Sequence, residues 1–290
     1  MTIGIPQIKA FVAVAERASF SEAAEDLGVS QSAVSHAVAA LERTTGRPVL
    51  TRGNSVRPTL LGERMLGQAR VALAALSALE ELAHRRDGGV RGNLVLAAPP
   101  TVCHSLVPAL IEHWRAEFPG VTVSLFEGGD DEIASWLDGA SADLAVLVDP
   151  TDVPPGAVVL ARDRFHAVLR EDHPLVGRAE VDVHELADDP LLLSTSGCER
   201  QIRELYRAAG EPLHPAHQVR QLSTLFAMVR AGTGVSVVPG LAAGMEGPGV
   251  VLVPLAQRAG RTLVLTGPHH RPWHPSAAAL LSSMAQERIA

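Results

Sequence analysis

The spacing of apolar residues along the chain changes twice, and each spacing predicts a different kind of element. Near the N-terminus the spacing is helical. Ala23, Ala24 and Leu27 fall at three-four intervals behind Ser19 and Ser21, either of which can cap a helix that Gly28 then ends in a left-handed turn. Ser30 starts a second helix in which Val34, Val38 and Leu41 face inward, so that Gln31, Ser32, Ser35 and His36 point outward near its N-terminal end. A short basic hairpin follows, with Arg52 and Arg57 flanking the turn Gly53-Asn54. Two helices joined by a tight turn and followed by such a hairpin form a winged helix-turn-helix. Gln and Ser exchange hydrogen bonds with base edges, and a helix N-terminus presented to the major groove is how such motifs dock.

From Thr59 to about Arg86 the pattern becomes one long helix. Met65, Ala69, Ala72, Leu76, Leu79 and Ala83 are spaced 4, 3, 4, 3, 4, a heptad seam that wants a partner helix. Asp87-Gly88-Gly89 breaks it and marks a domain boundary. From Arg91 onward short Val/Leu runs alternate with helical stretches, which predicts a parallel sheet with crossover helices and an α/β class for most of the chain. The runs cover residues 94–96, 121–126, 144–148, 165–169, 191–193, 235–238, 250–253 and 263–265, with helices over 102–118, 131–137, 198–209 and 222–231. The expected organisation is therefore a DNA-binding domain over 1–58, a linker helix over 59–90 and an α/β domain over 91–290.

Composition narrows the class. A chain of 290 residues with 47% apolar content can bury a sizeable core and is expected to hold about two domains. Its formal net charge is −7, yet residues 28–70 carry six Arg against two acids, a local charge of +4. A basic patch on an acidic protein is the footprint expected for phosphate contacts, with Arg52 and Arg57 as the candidate wing contacts to backbone or minor groove, although either is equally well read as a solvated surface Arg. Residues 1–10 lack the charged and apolar regions of a signal peptide, and no apolar run reaches transmembrane length, so a cytoplasmic protein is expected with no membrane partner. Two cysteines, Cys103 and Cys198, are too few for a disulfide framework.

The sequence resembles the LysR-type transcriptional regulators. The resemblance rests on residues 11–16, Ser19-Phe20, Ala23-Ala24, Leu27, Val29-Ser30-Gln31, Ala33-Val34-Ser35, Leu41-Glu42 and Gly46, and the layout of the whole chain fits it. Ser32 departs from the usual Pro or Ala, His36 from the usual Arg, and the wing is about one residue short. The resemblance implies double-stranded promoter DNA as a partner and a linker helix that pairs two protomers, with homodimers or homotetramers as the assembly. It further implies a two-lobed, periplasmic-binding-protein-like effector domain: lobe one over 91–162 plus 266–290, lobe two over 163–265, and hinges near 161–163 and 265–267.

The strand-to-helix junctions carry hydroxyls and free helix N–H groups, ready sites for a small anion such as a carboxylate, although Thr101, Ser196 and Ser223 are equally well read as N-caps. By resemblance Thr101, Gly129, Ser196 and Thr224 line the effector cleft, with Gly129 standing where a small polar residue is usual. Cys198 lies where peroxide sensors of this family carry their reactive cysteine, and a thiol at a helix N-terminus is expected to have a lowered pKa. The following residues through Gly210 hold no second cysteine to resolve an oxidised one, so Cys103 is the only alternative partner.

Other chemistry is weak in the sequence. Twelve His include His214, His217, His269, His270 and His274, but no acid or Cys completes a metal set. G-x-S-x-G, P-loop and dinucleotide motifs are missing, so no catalytic residue, metal or cofactor is expected and the protein is read as a non-enzyme. The expected function is a DNA-binding transcriptional regulator modulated by a small effector held between two lobes. The competing readings are a thiol-responsive regulator using Cys198 and, in a different class, a solute-binding protein, which would need a signal peptide and no basic helix-turn-helix.

Overall fold

The computed structural model describes residues 2–51, 53, 55–84 and 89–287. The chain divides into two compact units, Met1–Gly88 and, apart from Gly139–Ser141, the chain from Gly89 onward.

In the first unit α1 (Ile5–Arg17), α2 (Phe20–Leu27) and α3 (Gln31–Thr45) pack around Phe11, Val14, Ala23, Val34, Val38 and Leu41, all buried. Of the two candidate caps Ser19 is the one used, its side chain accepting the Glu22 N–H at 3.3 Å. Gly28 closes α2 at φ 64°, a left-handed conformation that favours glycine. Ser30 caps α3 by accepting the Ala33 N–H at 3.2 Å. Helix α1 was not foreseen, although Pro6 in its first turn and Phe11, Val12 and Val14 on its buried side carry the signal.

The wing is a minimal antiparallel hairpin of β1 (Leu50–Thr51) and β2 (Arg57–Pro58), with Thr51 opposite Arg57. Its place is fixed by Glu42 on α3, whose Oε1 accepts the N–H groups of Val49 and Leu50 at 3.1 and 3.4 Å. Helix α4 (Leu60–His84) starts against this hairpin. Gly62 lies so near it that a Cβ there would stand 2.0 Å from the Val49 carbonyl oxygen. The heptad seam divides along α4. Met65 and Ala69 pack into the unit's own core, whereas Ala72, Leu79 and Ala83 are exposed.

The second unit begins with β3 (Arg91–Ala98), α5 (Pro100–Ser105), α6 (Val107–Glu117), β4 (Gly120–Glu127), α7 (Asp130–Asp138) and β5 (Leu144–Val148). The helix expected over 102–118 is two helices, because Pro108 sits in the first turn of α6, where its missing N–H and its ring cannot continue α5. Strand β6 (Val158–Arg170) then passes into β7 (Leu191–Ser194), α8 (Glu199–Ala209), β8 (Pro215–Val219), α9 (Leu222–Arg230), β9 (Val235–Pro239) and β10 (Val250–Pro254). The chain closes with β11 (Gly260–Thr266) and α10 (Pro275–Glu287).

The strand order is β4-β3-β5-β11-β6-β9-β7-β8, with β10 also beside β6. The layout departs from the expected parallel α/β sheet in two ways. The sheet is mixed: β3 runs parallel to β4 and β5, and β7 parallel to β8 and β9, but β6 and β11 pair antiparallel with their neighbours. The reason is the crossing itself. Residues 158–164 of β6 pair with β11 and residues 165–170 with β9 and β10, so one strand leaves the first lobe as another returns to it. Strand β11 also pairs with β5. It therefore belongs to the first lobe's sheet, whereas the expected boundary at 265/266 assigned it to the second, and the return crossing lies between β10 and β11.

Each lobe has its own core. Leu96, Val102, Trp114, Leu144, Leu263 and Leu280 centre the first, and Phe165, Leu193, Ile202, Tyr206 and Val237 the second, with Leu225, Phe226 and Val229 packed on the second sheet's other face. Helix α10 and strand β8 were not read from the sequence. The Pro-His pattern over 214–217 masked a short strand in which His217 is exposed.

Candidate DNA-binding surface and inter-lobe cleft

In the first unit the inward face of α3 is filled by Val34, Val38 and Leu41, and the residues between them are left outside. Gln31, Ser32 and His36 are exposed and Ser35 is half-buried. Ser32 Oγ lies 2.9 Å from the capping Ser30 Oγ, which holds it at the helix mouth. Gln31, Ser35 and His36 line a hollow of about 460 Å³ with Gly53 and Val56 of the wing. The structure thus gathers three of the four expected base-reading residues beside the hairpin. Arg57 is exposed on β2, with its backbone held by Thr51, whose Oγ1 accepts the Arg57 N–H at 3.1 Å. Arg52 lies outside the described residues. Glu42, which ties wing to helix, enters the sequence only as part of the family pattern and as one of two acids in a basic segment, with no role assigned to it.

In the second unit a cleft of about 660 Å³ opens between the lobes. Glu127, Gly129, Glu132 and Trp136 line it from the first lobe; Thr195, Ser196, Arg220 and Ser223 line it from the second. Gly129 and Ser196 are therefore on its walls. Thr101 and Thr224 are not among its lining residues. Thr101 is 4% exposed, and its Oγ1 accepts a hydrogen bond from Arg261 Nη2 at 2.7 Å, so its hydroxyl serves the interior. Thr224 is exposed on α9 one residue beyond the cleft, and its neighbour Ser223 takes the position expected of it.

Charge crosses the cleft. Arg220 Nη2 stands 3.2 Å from both carboxylate oxygens of Glu132, whose Oε2 also accepts the Gly129 N–H at 2.9 Å. That backbone bond, with Arg220 adding to it, holds the Glu132 carboxyl below the usual carboxylate range. Asp130, at the start of α7, goes the other way. Burial pushes it up to about 6, against the Gln201 amide, Arg261 and Arg200, which favour the charged form. A Cβ at Gly197, which sits at φ 95°, would come within 2.9 Å of Asp130 Oδ1, so this carboxyl packs against the second lobe's backbone.

Cys198 corrects an expectation. It is 4% exposed within the second lobe's core, and burial raises its pKa, outweighing Ser194 and Arg261, which favour the thiolate. Cys103 packs on the first lobe's core, and burial, with Glu127 adding to it, pushes it up to about 12. The two thiols thus belong to different lobes, Cys198 inside one core and Cys103 half-buried against the other.

Trp136, Arg220, Glu127 and Glu132 were not singled out by sequence reasoning. Glu127 is the first residue of the strand-to-helix junction 127–130 and Arg220 directly precedes Gln221, the cap of α9, but Trp136 carries no local signal, because the turn of α7 that aims it is set by Ile133 and Leu137 packing inward. Among the described residues no group of three or more His, Cys, Asp and Glu is arranged to hold a metal ion. No helix among them is long and apolar enough to cross a membrane.

Two family models match the chain: the bacterial regulatory helix-turn-helix protein, lysR family, over residues 5–63, and the LysR substrate binding domain over residues 87–288. An uncharacterized HTH-type transcriptional regulator of Bacillus subtilis, YvbU, is 30% identical over 236 residues, covering 81% of this chain and 80% of its own. A probable hydrogen peroxide-inducible genes activator of Streptomyces viridosporus is 34% identical over 250 residues, covering 83% and 79%. Among solved structures, a full-length OxyR variant from Pseudomonas aeruginosa superposes with a TM-score of 0.77 at 26% identity over 98% of this chain and 94% of that one. CbnR in complex with its target DNA shares the fold, with a TM-score of 0.70 at 22% identity over 98% and 99%.

Proposed function

This chain belongs to the LysR-type family, DNA-binding transcriptional regulators with an effector-binding domain, and on that premise we propose which of its residues do each task. The N-terminal half of α3 enters the major groove, where Gln31, Ser32, Ser35 and His36 read base edges. Arg57 and Arg52 of the wing contact the backbone or minor groove. The observation that carries this reading is the hollow formed by Gln31, Ser35, His36 and the wing, with Glu42 fixing the hairpin against α3.

The effector occupies the inter-lobe cleft against Gly129, Ser196, Thr195 and Ser223, and its binding shifts the population of lobe arrangements. The exposed half of the α4 seam pairs two protomers, as a pseudo-palindromic site requires, and dimers of such dimers account for a tetramer. The protein acts in the cytoplasm, where promoter DNA lies, and acts by binding rather than by catalysis. Regulation comes from a bound metabolite rather than from oxidation of Cys198, because a buried thiol of raised pKa is neither accessible nor ionised.

Fluorescence anisotropy on the intergenic DNA upstream of its own gene, at physiological salt and with excess nonspecific competitor, tests the reading. Saturable binding that survives competitor and is lost in a Ser35→Ala/His36→Ala variant supports it. Binding that is equal on competitor and in the variant overturns it.

A further inference from the structure

The charges in the inter-lobe cleft do not cancel. Among the described lining residues Arg220 is the one cation, and its guanidinium is already engaged by Glu132 at 3.2 Å. Glu132 in turn is held by the Gly129 N–H. Glu127, at the end of β4 on the same wall, has no ion-pair partner among the described residues. Once Arg220 and Glu132 neutralise each other, one carboxylate remains facing the cleft.

The same wall presents a fixed aromatic ring. Trp136 lies over Gly128, where a Cβ would come within 2.5 Å of the indole, so only glycine leaves room for the ring. Phe126 braces it edge-on, with ring centroids 5.7 Å apart and planes at 77°. A carboxylate and an indole on one wall of the cleft favour a cation, through a charge-assisted hydrogen bond and through the ring's negative face. A simple anion would meet two carboxylates and an Arg that is already engaged.

We propose that the effector is a small metabolite bearing an ammonium group, which pairs with Glu127 on the Trp136 wall. This rests on the reading of the inter-lobe cleft as the effector site. The remainder of the molecule lies against the Thr195, Ser196 and Ser223 hydroxyls of the opposite wall. That wall includes the start of α9, whose Gln221 cap makes no side-chain bond to the helix, so the carboxylate of an amino acid is also accommodated there. The ammonium group, not the carboxylate, is what the cleft selects.

The test is isothermal titration and thermal shift on the full-length protein, with three amines (phenethylamine, putrescine and L-leucine) set against three carboxylates without the amine (hydrocinnamate, adipate and isocaproate). At least one amine is expected to bind and to raise the melting temperature, with no carboxylate counterpart doing so. Glu127→Gln should weaken that binding by about tenfold or more, the size expected for loss of a charge-assisted hydrogen bond. Trp136→Leu should weaken it less. Because Glu127 is exposed, the Gln variant is expected to fold. Preference for the carboxylates, no response to any amine, or an amine affinity unchanged in Glu127→Gln each overturns the proposal. A carboxylate whose affinity falls in Ser196→Ala would leave the cleft as the effector site while removing the ammonium specificity; probe binding indifferent to both Glu127→Gln and Ser196→Ala would remove the cleft assignment as well. The anisotropy assay reads DNA binding separately.

Discussion

Arg261 on β11 and Asp163 on β6 form an ion pair buried where the chain crosses between lobes, with Nη2 2.9 Å and Nε 3.1 Å from Asp163 Oδ2. The same Nη2 donates to Thr101 Oγ1 at 2.7 Å, and Asp163 accepts the Leu241 N–H at 3.2 Å. The pair thus joins both crossing strands to α5 and to the turn after β9. Removing one partner of such a pair leaves a buried charge uncompensated. Asp163→Asn is expected to cost about 3 kcal/mol of unfolding free energy, read from urea denaturation of the full-length protein. A loss below about 1 kcal/mol would mean that water reaches the crossing.

Asp130 gives the second unit a pH dependence. Its folded pKa, raised to about 6, lies above its unfolded value, so the folded state binds the proton more tightly. Its contribution therefore favours folding at low pH and declines as pH rises from about 4 to about 6, above which its cost is constant. Asp130→Asn removes that cost and is expected to stabilise the protein by on the order of 2 kcal/mol at about pH 7.5, with little effect at about pH 4. Melting temperatures of both proteins across that range check it; a variant equally stabilised at both ends would exclude titration as the cause.

Cys198 is buried and its pKa is raised, so the protein is expected to be insensitive to mild oxidant. Cys198→Ala is expected to leave DNA binding, measured with and without hydrogen peroxide, the same as in the parent protein. Its loss of packing should cost about 1 kcal/mol of stability. Peroxide that changes DNA binding of the parent but not of the variant would restore the thiol-responsive reading and remove the metabolite one.

On α4, Leu79 is 63% exposed in the half of the seam that its own unit does not cover. A second copy of the helix would bury it, and an acid there would then be held in an apolar interface. Leu79→Glu is expected to shift the protein toward monomer in sedimentation velocity and to weaken binding to a two-half-site operator by about tenfold or more. An unchanged sedimentation coefficient would place the dimer contact elsewhere.

The sequence by itself determined the local elements. Ser30 as a cap, Ser19 or Ser21 as the other, Gly28 as a left-handed end, and the three-four spacing of Val34, Val38 and Leu41 depend on neighbours within a turn or two, and a single sequence displays all of them. The apolar runs named eight of the strands for the same reason, and the motif with its local positive charge marked α3 as the candidate DNA-reading helix. The tertiary structure decided whatever depends on partners far along the chain. Arg261 reaches Asp163 across 98 positions and Thr101 across 160, which draws the Thr101 hydroxyl out of the cleft and into the interior. Arg220 meets Glu132 across 88 positions, and Trp136 enters the cleft because α7 packs its other face inward. The antiparallel crossing of β6 and β11 and the raised pKa of Cys198 have the same origin. A sequence displays propensity and spacing, but desolvation and charge pairing are set by whichever distant segments the fold brings together.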